Sequence, residues 1–152
     1  MPKIMRIRKK PVRAIWNLVI LASVLISWPA SAGPLVVTVS QARNDSGQVR
    51  CGLFNHVEGW RQEKRAMRAI DAAIKNGKAL CDFGVVPQGN YAIAIFHAED
   101  GESSVIYGFL GKPKQGVGFS NNPSITFGAP DFKTALVPVG TESLEIEITL
   151  RY

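Results

Sequence analysis

Only two of the 152 residues are cysteine and only two are histidine, and the motifs of the common enzyme types are missing. No serine stands in a Gly-x-Ser-x-Gly elbow, and the spacing assembles no Ser/His/Asp or Cys/His set, so nothing indicates nucleophilic catalysis. Glycines 108, 111, 116 and 118 form neither Gly-x-Gly-x-x-Gly nor a Walker loop. They suit turns, which removes the argument for a nucleotide site. The apolar run from Ala14 to Ile26 is about half the roughly 20 residues that a helix needs to cross a bilayer. No cysteine follows that run, which argues against a lipid anchor there, and no adjacent arginines precede it, which argues against twin-arginine export. There is no internal repeat.

What is present begins with a cationic front of Lys3, Arg6, Arg8, Lys9, Lys10 and Arg13, followed by that apolar run and then Ala30-Ser31-Ala32. Small residues at that spacing are what a signal peptidase reads, so residues 1–32 are expected to be a signal peptide cleaved after Ala32. The competing reading is an uncleaved anchor, which Pro29 and the small tripeptide disfavour. The leader holds six of the eighteen basic residues and none of the twelve acidic ones. The remaining chain is therefore formally neutral, and the net charge of +6 is no evidence for a nucleic-acid partner. Arg61, Lys64, Arg65 and Arg68 cluster locally and read as a solvated face.

Residues 33–152 suffice for a single domain with one core. Both cysteines, Cys51 and Cys81, lie in that part. In an exported chain such a pair points to a disulfide, because two thiolates 30 residues apart with no paired His lack a metal ligand set. Alternation marks strands at Leu35–Gln41 and Gln48–Asn55, and Asn44-Asp45-Ser46-Gly47 between them reads as a hairpin turn. Asn76-Gly77 predicts a second hairpin, 69–75 with 78–84, after a short helical piece near residues 61–68. A single helix from Arg61 to Lys75 is the alternative. Val85–Asn90 reads as a turn and Tyr91–His97 as a central strand covered on both faces. From Ala98 to Pro130 glycines and prolines predict a long irregular excursion, of the kind that is usually functional. Thr134–Val139 and Leu144–Tyr152 complete about seven strands, predicting an all-β antiparallel sandwich of the immunoglobulin/prealbumin-like type.

The motifs Pro87-Gln88-Gly89-Asn90-Tyr91-Ala92-Ile93, His97 with its following loop, Gly111-Lys112-Pro113-Lys114-Gln115-Gly116-Val117-Gly118-Phe119-Ser120-Asn121-Asn122, and Phe132 with Ala135 carry a resemblance. Their order resembles the bacterial domain of unknown function 2141 family of small exported β-sandwich proteins. The resemblance spans essentially all of residues 33–152 and implies a fold and a compartment but no activity. Family members commonly carry His-Asp-x-Asn-x-Asn-Gly-Lys-x-Asp, which looks like a calcium loop. Here Ala98 and Ile106 stand at the two Asp positions, while Asp100 and Glu102 stand at the two Asn positions. Calcium takes six to eight oxygens, so no metal is expected, and no other cofactor.

The residues singled out as a candidate binding surface are His97, Asp100, Tyr107, Phe119 and Asn121, with no catalytic residue assigned. His97 at a strand end is more commonly satisfied by backbone groups than engaged with a ligand. His56 carries less signal still. Asn121 and Asn122 could cap a turn while Phe119 plugs the core. The reading that emerges is a periplasmic or secreted, non-enzymatic binding or accessory module of the envelope that uses the 97–122 loop. It expects an envelope ligand or protein as partner and membrane contact only in passing, through the leader. An envelope hydrolase with His97 and Asp100 as acid and base is the enzymatic alternative, and a purely structural envelope protein is the third reading.

Overall fold

Alternation of apolar and polar side chains builds nearly every strand of this protein, and the computed structural model describes residues 32–152. The expected leader lies outside the described residues except for Ala32. Eight strands occur among the described residues: β1 Ala32–Ser40, β2 Gln48–Phe54, β3 Arg68–Ala73, β4 Ala79–Pro87, β5 Gly89–Ala98, β6 Val117–Phe119, β7 Leu136–Val139 and β8 Leu144–Thr149. They form two sheets. One has the order β4-β1-β8, and the other has the order β3-β2-β5-β6, with β7 also pairing β5. The chain is all-β, with helical geometry limited to short 3₁₀ turns among the described residues. Every strand pairing is antiparallel except that of β1 with β8, which is parallel.

The core lies between the sheets. Leu35, Val37 and Val39 of β1 meet Val49, Cys51 and Leu53 of β2 and Ile93 and Ile95 of β5, all buried. Cys51 and Cys81 form a disulfide with Cα atoms 6.5 Å apart. Because β2 and β4 belong to opposite sheets, the bond ties the two layers together.

Several local expectations give way to this two-layer arrangement. β1 and β2 are not a hairpin, because they lie in different sheets. Asn76 and Gly77 do adopt positive φ of 52° and 72°, and Lys75 and Lys78 exchange both backbone hydrogen bonds across them. That hairpin is a single pair long, for β3 and β4 then diverge into opposite layers. The helix considered over 61–75 is absent, and only Glu63–Arg65 makes a 3₁₀ turn before β3. The segment 85–90 is not a turn, since β4 runs through Pro87 and β5 begins at Gly89 as the chain changes sheets. Gly84, at φ 63°, accommodates a bulge at which Leu35 pairs with Gly84 and Val36 with Asp82. Only glycine enters that backbone region without penalty, and the extra residue resets the inward phase from Phe83 to Val86.

The 98–130 excursion is also divided. Val117–Phe119 returns to the sheet as β6 and pairs with Ala94–Phe96 of β5. Gly89–Ala92, the first part of β5, pairs with β7 instead. At the change of partner stands Ser120, fully buried. Its Oγ accepts the Ile93 N–H at 2.9 Å and donates to the Ala135 carbonyl, while its own N–H reaches the Ile93 carbonyl. One side chain thus bridges the gap between two short strands on one ladder.

Candidate functional site

Period two sends Arg50, Gly52 and Phe54 of β2 to the face opposite Cys51 and Leu53. Cross-strand register aligns them with Ala69 and Asp71 of β3 and with Ala94 and Phe96 of β5, and then with Val117 and Phe119 of β6. The outer face of the larger sheet therefore has a floor of small residues, Gly52, Ala69 and Ala94, flanked by larger apolar ones. Loops carrying Arg61 and Glu63, Ser104 to Pro113, and Ile125 to Ala129 rise around it. Together they enclose an open groove of about 510 Å³, lined mainly by apolar surface. A small second apolar cluster of Phe96, Ala98, Val117 and Phe119, with Trp60, Val105 and Ile125 packed against it, backs the groove, and its Phe96, Val105, Val117, Phe119 and Ile125 line it.

Aromatic packing fixes one wall. The Trp60 ring meets Phe54 edge-on at 5.2 Å, Phe132 at 5.6 Å and Phe119 at 6.0 Å between centroids. Its indole N–H donates to the Pro130 carbonyl at 3.0 Å, so the polar atom is satisfied and the apolar body is left to pack.

Charge is concentrated at one end. Arg50 Nε donates to Asp71 at 3.0 Å, Nη2 lies 3.0 Å from Glu63 Oε1, and Nη1 donates to the Glu102 carbonyl at 3.1 Å. One guanidinium thus ties β2 to β3, to the 3₁₀ turn and to the loop after β5. Glu63 Oε2, the other oxygen of that carboxylate, is buried without a hydrogen-bond partner. Glu102 anchors the far loop: its carboxylate accepts N–H groups from Asp100 and from the Gln115 amide. Its own N–H and that of Asp100 hold the Glu102 carboxyl below its ordinary range.

The five residues selected from sequence fall in three places. Tyr107 and Phe119 line the groove, Phe119 buried in its wall and Tyr107 exposed at its margin. Asn121 points elsewhere: its amide donates to the Thr134 and Leu136 carbonyls at 3.0 and 2.9 Å. Asn122 beside it accepts the Thr149 N–H and donates to the Glu147 carbonyl, completing the free edge of β8. Asp100 is solvent-exposed.

His97 is completely buried, on the core-facing side of β5. Its Nε2 lies 2.8 Å from the Ser46 carbonyl, which can only accept, so Nε2 carries the proton. Nδ1 then accepts from the Tyr152 hydroxyl at 2.7 Å in the neutral ring, and that hydroxyl in turn accepts the Arg43 N–H. Tyr152 fits there because Gly116 has no side chain, for a Cβ would overlap the phenol ring. Burial and the nearby Glu99 charge raise the Tyr152 pKa, with Arg43 opposing. Burial works against ionisation of Glu99. Hydrogen bonds from Asn44 and Arg43, with the Arg43 charge, outweigh it and hold that carboxyl low. His97, Tyr152, Arg43 and Glu99 form a structural tie at the sandwich end, and Asp100 is not among the partners of His97.

Sequence inspection passed over Phe54, Trp60, Glu63, Ala94, Phe96 and Ile125. Phe54 and Phe96 could have been found from the polar-face positions of β2 and β5 that carry apolar residues. The loop residues had no signal of their own. Among the described residues, no three His, Cys, Asp or Glu side chains gather as a metal site. None of the helices there is long and apolar enough to cross a membrane.

A family model described as "Uncharacterized protein conserved in bacteria (DUF2141)" matches residues 37–147, and the chain belongs to that family. No curated protein and no solved structure matches it.

Proposed function

We propose that this member of the DUF2141 family is an exported, non-enzymatic binding module of the bacterial envelope, and that its ligand has an apolar body. The observation that supports this is the groove across the outer face of the larger sheet. Its volume of about 510 Å³ lies within the range in which proteins seat small organic ligands. Its floor is made of Gly52, Ala69 and Ala94, side chains too small to fill the space between the walls.

Two features favour placement outside the cytoplasm: the expected leader, and a disulfide joining the two layers. The 97–122 loop contributes through Ser104, Val105 and Tyr107, while its histidine serves the fold. The test is titration of the protein with the apolar fluorophore N-phenyl-1-naphthylamine. Wild type should enhance its emission saturably, and Ala94→Trp, which fills the floor, should weaken binding by about tenfold or more, the equivalent of ~1.4 kcal/mol. Equal binding by the two proteins, each with a native thermal transition, would remove the groove from consideration.

A further inference from the structure

Three large apolar side chains at the groove mouth have almost no protein around them: Phe109 is 89% exposed, Leu110 82% and Phe127 102%. They sit on two separate loop tips, each flanked by residues that line the groove. Tyr107 and Gly111, which bracket Phe109 and Leu110, both line the groove, and so do Ile125 and Gly128, which bracket Phe127. Leu110 also holds φ 58°. That backbone region favours glycine, and a bulky apolar residue there is unusual. Neither burial nor backbone preference explains its presence, which turns attention to something outside the chain.

Charge narrows the choice of partner. The segment 103–116 carries Lys112 and Lys114 and no carboxylate, and the segment 120–130 carries no charge. Apolar tips backed by cations suit an anionic lipid surface, where the rings enter the acyl boundary and the ammonium groups meet the headgroups. A protein partner fits less well. A stable interface needs about 800 Å² per side, whereas two phenylalanines bring roughly 300–500 Å², and Leu110 adds only one more side chain. We propose that the Phe109, Leu110 and Phe127 tips, with Lys112 and Lys114, dock this protein reversibly on anionic bilayers, groove mouth toward the lipid. This goes beyond the passing contact expected through the leader and does not require the groove to be occupied.

The experiment is vesicle flotation with the chain starting at Gly33, as the expected cleavage leaves it, which carries both sheets, the disulfide and the core. Phosphatidylethanolamine vesicles containing phosphatidylglycerol are compared with vesicles of phosphatidylcholine alone. Binding should be confined largely to the anionic vesicles and should weaken as salt rises. F109S/L110S/F127S should abolish it, and K112Q/K114Q should lower partitioning by about thirtyfold. All of these sites are exposed, so each variant should keep the wild-type thermal transition. Ala94→Trp should float like wild type, which separates failure of the rim from failure of the groove. Absence of flotation, or flotation unchanged in the triple variant, would overturn the proposal. So would wild-type self-association without lipid that the triple variant loses, since the face would then be an interface between copies.

Discussion

Replacing Ser120 by alanine removes one oxygen from the driest part of the sheet. That oxygen accepts the Ile93 N–H at 2.9 Å and donates to the Ala135 carbonyl, in a residue with no exposed surface. The alanine side chain leaves a donor and an acceptor without these partners, at a point where β5 is passing from β7 to β6. Each orphaned buried group costs about 1–3 kcal/mol, so the variant should lose about 3 kcal/mol. For a domain of this size that corresponds to a fall of roughly 10 °C in Tm. The control is Asn121→Gly, because Asn121 holds φ 65° and glycine keeps that backbone without strain. Asn121 also ties two carbonyls, of Thr134 and Leu136, but it is solvent-exposed. Water can replace its amide, and the loss should stay within about 1 kcal/mol. Urea unfolding of both variants with the disulfide intact is the assay, and the m value should not change. If Ser120→Ala stays within 1 kcal/mol of wild type, or if Asn121→Gly is the more damaging, the account of this motif as an internal splice fails.

Two further expectations concern the rest of the frame. Cys51→Ala/Cys81→Ala should lose about 3.5 kcal/mol in chemical denaturation, from the entropy of a loop spanning 30 residues; a loss below 1 kcal/mol would mean the two layers hold without the covalent tie. Glu99, Glu102 and Asp45 all have carboxyl groups held below their ordinary range, Asp45 by the N–H groups of Gly77 and Asn76. A lowered folded-state pKa gives stability that is complete above the unfolded-state values of about 4 and lost as pH falls through the lower folded-state values. Thermal midpoints should therefore drop on acidification below about pH 4, and Glu99→Gln should flatten that drop. An unchanged slope would contradict the assignment.

The inward residues of β1, β2, β5 and β8 were legible because period two is a local property of the chain. Which sheet a strand joins is not local. Asn76-Gly77 makes the turn its residues demand, yet the strands on either side part after one pair, since Cys81 must face the core from the opposite layer to Cys51. β6 escaped notice for a different reason: three residues, one of them glycine, show no period, and only the ladder offered by Ala94–Phe96 makes them a strand. His97, Asn121 and Asn122 drew attention as polar residues in a glycine-rich region, and their polar atoms serve backbone groups and Tyr152. Nearly the reverse holds for the groove. Its floor comes from Gly52, Ala69 and Ala94, which are inconspicuous singly and become a surface only when three strands bring them side by side.

Backbone amide NMR during titration with N-phenyl-1-naphthylamine puts the groove to its most direct test. The account predicts shifts concentrated at Gly52, Ala94, Phe96, Phe119 and Ile125. Perturbations centred on His97, Ser46 and Tyr152, or no saturable shift anywhere, would contradict it.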